Sequence, residues 1–176
     1  MIFIPAPLAG AYIVDLKRIE DDRGFFARSF CQEEFNRLGL KHDFVQCNIS
    51  FNPKRGTLRG MHFQIEPHAE AKLVRCTQGA VWDVIVDLRA DSRCYKMSFG
   101  VELSAVTRRA LYIPEGFAHG FQTLTDDAEV LYMMAASYHA ESARGVRWND
   151  PAFGIEWPLP SAIMSQRDRD FPLFEG

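Results

Sequence analysis

The chain has 176 residues and a formal net charge of −3 at pH 7, with 47% hydrophobic and 24% charged residues. A chain of this length and balance buries a sizeable core, and we expect a single domain over residues 1–176. Its interspersed charges exclude a basic surface that tracks nucleic acid, and no apolar run is long enough to span a membrane, so neither is an expected partner.

Cysteine usage and the N-terminus indicate the compartment. The four cysteines are widely spaced and form no C-x-x-C pair, so the sequence predicts free thiols in place of a zinc site or a redox dithiol. The N-terminal segment is apolar, but Pro5 and Pro7 interrupt it and no basic stretch precedes it, unlike in a signal peptide. We therefore expect a cytoplasmic protein.

Short apolar segments separated by Gly and Pro, with little helical periodicity, predict an all-β sandwich or barrel with a few short peripheral helices. The clearest helix covers residues 31–38. Ser29 and Gln32 are spaced as a capping box at its start, and Gly39 supplies a stop signal.

A period of two dominates the rest of the chain. Residues 81–88 alternate between an apolar face at the even positions and a face that carries Asp83 and Asp87 at odd positions. This pattern predicts a core strand with one packed face.

Other strands present polar side chains on one face. Such groups are costly to bury without partners, so a small barrel that turns them inward encloses a wet pocket for a polar ligand. A solvent-exposed face, or amphipathic packing of single residues, is the alternative. The side chains are Gln46, Asn48 and Ser50 at residues 43–50, His62 and Gln64 at residues 58–64, Lys72 beside Val74 and Cys76, and Tyr132 and Tyr138 at residues 130–138.

Six separated motifs keep the order and spacing of one protein family. Any one of them alone would be weak evidence, but together, from about Asp22 to Asp168, they make the chain resemble the dTDP-4-dehydrorhamnose 3,5-epimerase family. The motifs are DRGFF (22–26), QCN (46–48), LRGMHFQ (58–64), KLVR (72–75), IPEGFAHGF (113–121) and RGVRWNDP (144–151).

The resemblance implies a jelly-roll (cupin) β-barrel that forms a homodimer with shared active sites and needs neither a metal nor an organic cofactor. The implied reaction is epimerisation at C3 and C5 of a nucleotide-diphospho-4-keto-6-deoxyhexose, for deoxysugar and cell-surface polysaccharide biosynthesis such as that of lipopolysaccharide. A carbon beside a ketone loses a proton to give an enolate. The enzyme then needs a base, a group that stabilises the oxyanion, and an acid on the opposite face.

Four residues match the family's catalytic positions. The resemblance implies that His62 is the base and that Asp168 orients it and stabilises its charged form. It also implies that Lys72 stabilises the enolate and that Tyr132 returns a proton from the other side. Taken alone, Asp168 also fits an exposed C-terminal acid.

Two arginines match diphosphate-binding positions. The resemblance assigns Arg23 and Arg59 to phosphate oxygens, although each also fits a surface salt bridge. Strict alternation places Arg59 on the face opposite His62, so contact with the same ligand requires a bulge, a rim position or a shared dimer edge.

The remaining substrate-binding positions are aromatic or amide side chains. His119 matches a pocket histidine, and Tyr138 resembles the family's ligand-contacting tyrosine. Phe26 resembles a residue that stacks near the base, often from the neighbouring subunit, with a plain core phenylalanine as the alternative. Gln46 and Asn48 complete the expected binding set.

The chain departs from the family at positions that matter for specificity. Arg28 and Ala143 stand where the family has Glu, and both positions approach the nucleoside, so the nucleobase is open. Apolar residues follow Tyr132, which leaves open whether one carbon or two are inverted. A C3-only epimerase of a CDP- or GDP-linked sugar is one alternative.

Two rival functions share the expected fold. A metal-dependent cupin would use His62 and His119 as ligands, but the second histidine of the usual H-x-H motif is here Gln64. A non-catalytic sugar-nucleotide binder is the second rival. The joint presence of base, acid, cation and carboxylate favours the enzyme.

Overall fold

The structure is a computed structural model that describes residues 1–160 and 163–175 and consists mostly of β-strands. None of the helices in this part of the chain is long and apolar enough to cross a membrane. The strands are β1 (Ile2–Pro5), β2 (Tyr12–Asp15), β3 (Arg18–Asp21), β4 (Gly24–Ala27), β5 (Gln46–Asn52), β6 (Leu58–Gln64), β7 (Lys72–Gln78), β8 (Ala80–Asp87), β9 (Ser98–Ser104), β10 (Ala110–Ile113), β11 (Phe117–Thr123), β12 (Ala128–Met134) and β13 (Ala143–Gly145), and the helices are α1 (Gln32–Asn36) and α2 (Gln166–Asp170).

Two antiparallel sheets face each other. One has six strands in the order β1-β2-β10-β7-β12-β5, the other has five in the order β13-β6-β11-β8-β9, and β3 and β4 form a separate ribbon. Val74 and Val130 of the first sheet share a buried apolar cluster with Ile85, Leu103 and Phe121 of the second. The prediction of an all-β jelly roll with short helices is confirmed.

A second apolar cluster covers the outer face of the six-stranded sheet. Its centre is Phe35 of α1, which is fully buried and packs edge to face against Phe3, Phe44 and Tyr112. Aromatic rings prefer this geometry. A helix of only five residues is unstable alone, so the burial of these rings provides most of the stabilisation of α1.

The start of α1 differs from its prediction. Cys31 is the N-cap and its side chain makes no capping hydrogen bond, so the predicted capping box of Ser29 and Gln32 is wrong. Ser29 instead accepts a hydrogen bond from Arg75 through its carbonyl oxygen. Gly39 has φ +67° and ends the segment as predicted.

Strand β8 packs on both faces, not on one. Val84 and Val86 lie under Val146 and Phe153 of the C-terminal segment, which covers the outside of the five-stranded sheet. The odd face therefore points into the barrel and carries Asp83, which is fully buried. The alternation of β8 was identified correctly, but its inner and outer faces were not.

A bulge in β6 brings two predicted site residues to the same side. His62 pairs with His119 and Arg59 pairs with Phe121, so one extra residue of β6 lies between the two pairs. Gly60, at φ +135°, occupies this point, where a Cβ atom would come within 2.5 Å of the Gly120 Cα. Of the three possibilities left open for Arg59, which were a bulge, a rim position and a shared dimer edge, the structure shows a bulge.

The aromatic cluster predicts a large stability effect. Phe35→Ala should lower the free energy of unfolding by about 3–5 kcal/mol, because it removes a fully buried ring and leaves a cavity. Leu38→Ala, just beyond the same helix and 44% exposed, is the matched control and should cost under about 0.5 kcal/mol. Urea denaturation of both variants measures the difference, and equal losses would contradict the central role of Phe35.

Candidate active site

A cavity of about 420 Å³ opens between the two sheets. It collects polar side chains from both walls, as expected for a wet pocket in a barrel. Eight predicted site residues line it: Gln46 and Asn48 of β5, Arg59 and His62 of β6, Lys72 of β7, His119 of β11, Tyr132 of β12, and Tyr138.

His62 and Asp168 form a close pair on one wall. The His62 Nε2 lies 2.8 Å from the Asp168 Oδ1, and the other carboxylate oxygen accepts a hydrogen bond from the Gly60 N–H at 3.3 Å. Asp168 is only 5% exposed, so the alternative of an exposed C-terminal acid is wrong. The Ser165 hydroxyl caps α2 by accepting from the Asp168 N–H, and this cap fixes the carboxylate behind the imidazole.

The charge of Asp168 is retained at neutral pH. Burial acts to raise the pKa of this carboxyl, but the hydrogen bonds and charge of its neighbours, His62 foremost, outweigh burial and hold the pKa below its ordinary value. A carboxylate at this place stabilises a protonated imidazole. In the described part of the chain, the His62 Nδ1 makes no hydrogen bond and can take up a proton.

Lys72 is buried at 5% exposure and is held by two acceptors. Its Nζ lies 3.1 Å from the Glu70 Oε1 and donates to the His62 carbonyl oxygen at 3.3 Å. An ammonium group has three donors, so one N–H remains for a ligand in the cavity. Sequence reasoning missed Glu70, although an acid two positions before Lys72 shares its side of an extended chain.

His119 forms a second imidazole–carboxylate pair. Its Nε2 lies 2.9 and 3.1 Å from the two oxygens of Asp83, and both residues are buried. Sequence reasoning missed Asp83 because it placed that side chain on the uncovered face of β8. An acid within an otherwise apolar strand was the available signal.

Tyr132 faces His62 from the opposite wall. It lies on β12 of the six-stranded sheet, whereas His62 lies on β6 of the five-stranded sheet. Burial, and then the negative charge of Asp83, raise the pKa of the Tyr132 phenol far above its ordinary value, against a smaller opposing effect of Arg59. The phenol is therefore a proton donor throughout the physiological range.

The mouth of the cavity is formed by amides and by a loop. Strand β12 ends at Met134, so Tyr138 belongs to a loop and not to the predicted strand at residues 130–138. The Tyr138 N–H donates to the Gln46 side-chain oxygen at 3.1 Å, and Gln46 donates to Asn48 at 3.2 Å. Tyr138 is 58% exposed and lies at the rim, where a flat ligand group could stack on it.

Arg23 and Phe26 lie away from this cavity within one chain. Both are on the β3–β4 ribbon, where the Arg23 side chain is 90% exposed and Phe26 is 73% exposed. The alternative that Phe26 is a core residue is wrong. Arg23 forms a surface salt bridge with Asp21, as its alternative predicted.

The two positions that depart from the family occupy different places. Ala143 lines the cavity, where its small side chain leaves room. Arg28 forms a salt bridge with Glu34 at 3.2 Å, outside the cavity.

A metal-dependent cupin would need the imidazoles of His62 and His119 as ligands, but in this structure both are paired with carboxylates. His62 and His119 each engage Nε2 with their own carboxylate. Over residues 1–160 and 163–175, no cluster of three or more His, Cys, Asp or Glu side chains is arranged to hold a metal ion. The arrangement suits proton transfer between two walls of one cavity.

Comparisons with known proteins show which enzymes the chain is similar to. The family model described as dTDP-4-dehydrorhamnose 3,5-epimerase matches residues 5–176. The enzyme of that name from Escherichia coli is 46% identical over 99% of this chain and 96% of its own length. The Bacillus anthracis enzyme, solved with TDP and PPi bound, is 43% identical with a TM-score of 0.95 over 98% of this chain and 99% of its own. A Legionella pneumophila relative, solved in complex with dTDP-4-keto-L-rhamnose, is 36% identical with a TM-score of 0.91 over 98% of this chain and 92% of its own.

The environment of Tyr132 predicts its titration. Its phenol should stay protonated when the pH is raised to about 11, because burial and the charge of Asp83 both disfavour the phenolate. The ¹³C resonance of the Tyr132 ring, assigned with Tyr132→Phe, reports this directly. Asp83→Asn should lower the pKa, whereas ionisation of wild-type Tyr132 near its ordinary value of about 10 would contradict this account.

Proposed function

The chain belongs to the dTDP-4-dehydrorhamnose 3,5-epimerase family, and we propose that its cavity inverts C3 and C5 of a dTDP-linked 4-keto-6-deoxyhexose. It is an isomerase of the epimerase class and acts on a nucleotide sugar. One observation carries the assignment of roles: His62 and Tyr132 face one cavity from opposite sheets. A proton removed on one side of a ring and returned on the other inverts the carbon.

His62 is the base. The C4 ketone acidifies the hydrogens on C3 and C5, and the imidazole removes one of them. The ordinary pKa of an imidazole lies near neutrality, which suits this role. Asp168 is buried and ionised, and its Oδ1 lies 2.8 Å from the His62 Nε2. It stabilises the imidazolium that forms and keeps the ring oriented.

Lys72 stabilises the enolate. Proton removal places negative charge on the C4 oxygen, and an ammonium group already held by two acceptors can meet it without reorganising. Because Glu70 and the His62 carbonyl use two of its N–H groups, the third is directed to the substrate.

Tyr132 is the acid. Its raised pKa keeps it protonated until a carbanion forms within reach, and the resulting phenolate is strongly basic and regains a proton readily. C3 and C5 both flank the ketone, so one set of base, cation and acid can serve both carbons.

Arg59 and the amides of β5 bind the rest of the nucleotide sugar. Asn52 holds the Arg59 guanidinium through a 2.7 Å hydrogen bond at Nε, which leaves its two terminal nitrogens for diphosphate oxygens. Gln46, Asn48 and Tyr138 form the mouth, where the nucleoside lies. The related enzymes act on dTDP-sugars, so we assign thymidine as the nucleoside despite Arg28 and Ala143.

A second copy of the chain completes the site. The ribbon residues Ile19 and Phe26 are 69% and 73% exposed, and Ile49 of the edge strand β5 is 63% exposed. Exposed apolar residues on a projecting ribbon and an unpaired sheet edge suit a homodimer. In that dimer, Arg23 and Phe26 reach the partner's cavity, Arg23 toward diphosphate and Phe26 beside the base.

The cellular setting follows from the substrate class and the thiols. All four cysteines are free, which suits a reducing compartment, and we place the enzyme in the cytoplasm. Its product serves deoxysugar and cell-surface polysaccharide biosynthesis, including that of lipopolysaccharide.

The opposed roles of His62 and Tyr132 predict different losses. With dTDP-4-keto-6-deoxyglucose in D₂O, His62→Ala should lower both hydrogen exchange and product formation by about 10²- to 10⁴-fold, because it removes the base. Tyr132→Phe should lower product formation by a similar factor but spare more of the exchange. NMR counts both events in one sample. Equal loss of both in Tyr132→Phe would assign that residue a structural role only.

The shared site predicts complementation between two defective chains. Arg23→Ala should weaken binding and His62→Ala should remove the base, so each homodimer is impaired. After joint refolding, half of the dimers are mixed and each carries one complete site, so activity should recover to about a quarter of wild type. Activity that equals the mean of the two separate variants would place Arg23 outside the partner's site.

A further inference from the structure

Glu70 has a buried oxygen without a hydrogen-bond partner in the part of the chain that the structure describes. Its side chain lies in the wall of the cavity and the residue is 7% exposed. Oε1 contacts the Lys72 ammonium at 3.1 Å, but Oε2 has no hydrogen-bond partner among residues 1–160 and 163–175. A buried carboxylate oxygen without a partner is costly, and native structures rarely keep one unless a ligand or water serves it.

We propose that the Glu70 Oε2 accepts a hydrogen bond from the substrate's C3 hydroxyl, so that Glu70 is a specificity-determining residue. This inference rests on the proposed function, because it takes the ligand to be a 4-keto sugar with its ketone at Lys72. It adds a residue that the motif comparison did not select.

The placement follows from the contact between Glu70 and Lys72. If the Lys72 ammonium binds the C4 oxygen, the substituent on C3 lies beside it, because vicinal oxygens are within hydrogen-bonding distance of each other. Glu70 lies in the same relation to Lys72, because its Oε1 contacts the ammonium and its Oε2, on the same carboxylate, has no partner in the described chain. The carboxylate and ammonium therefore match the hydroxyl and ketone of two adjacent carbons.

The chemistry of the pair suits that match. An ionised carboxylate accepts and does not donate, whereas a hydroxyl can donate, so the contact is a charge-assisted hydrogen bond. A buried site built around a hydroxyl rejects an analogue that lacks it, since the acceptor then stays unpaired. Glu70 would thus hold the ring by the carbon that is inverted and exclude 3-deoxy sugars.

The test compares two substrates with matched variants. The substrates are dTDP-4-keto-6-deoxyglucose and its 3-deoxy analogue, and the readout is kcat/KM for exchange of the C5 hydrogen in D₂O, which both possess. Wild type should prefer the hydroxylated substrate by about tenfold or more. Glu70→Leu should reduce the preference to about twofold or less, with most of the change in KM for the hydroxylated substrate.

The preference ratio separates this contact from damage to Lys72. Any disturbance of the ammonium acts at C4 and affects both substrates alike, so it cancels in the ratio. Glu70→Gln keeps an oxygen for Lys72 but replaces the charged acceptor by an amide. Its preference for the hydroxylated substrate should fall between that of wild type and that of Glu70→Leu. Glu129→Leu is the control, since Glu129 accepts a hydrogen bond from Thr77 and lies outside the cavity lining. It should keep the wild-type preference.

Two outcomes would overturn the inference. A wild-type preference in Glu70→Leu would mean that water, not the sugar, serves the oxygen. If Glu70→Leu does not fold, a full wild-type preference in Glu70→Gln has the same meaning. Failure of the proposed function looks different, because wild type would then exchange no ring hydrogen of either substrate.

Discussion

A polar cavity inside a β-barrel persists only if its buried charges are neutralised, and here both histidines and the lysine on the cavity wall each have their own carboxylate. Each carboxylate fixes the orientation of its partner through a close contact. The pairs are His62 with Asp168, His119 with Asp83 and Lys72 with Glu70.

The pairs differ in exposure, and this difference separates their functions. His62 is the more open of the two pocket histidines, with its side chain 43% exposed, so it can exchange a proton with a ligand. His119 is buried and its ring meets the Tyr132 ring edge to face, with centroids 5.9 Å apart, so its pair acts on Tyr132 instead. Burial and the charge of Asp83 keep Tyr132 protonated, so the proposed acid holds its proton on the wall opposite His62.

Much of the fold and of the cavity could be predicted from sequence, because period-two alternation identifies strands and polar residues on one face identify a lined interior. Face assignment failed at β8, since an apolar face packed under the C-terminal segment looks like one that faces the core. Asp83 was missed as a site residue for the same reason. Glu70 precedes its strand and belongs to no motif, so its spacing of two positions from Lys72 was the available sequence signal, and the contact with Lys72 reveals its place. The roles proposed for Arg23 and Phe26 require a second chain, which one sequence does not describe.

The central claim is that the hexose ring lies between His62 and Tyr132. A crystal structure of the His62→Asn variant with dTDP-4-keto-6-deoxyglucose bound tests it most directly. The account predicts residue 62 on one face of the ring, the Tyr132 hydroxyl on the other, and the C4 oxygen beside the Lys72 ammonium. A ring with both side chains on the same face, or a metal ion bound between them, would contradict it.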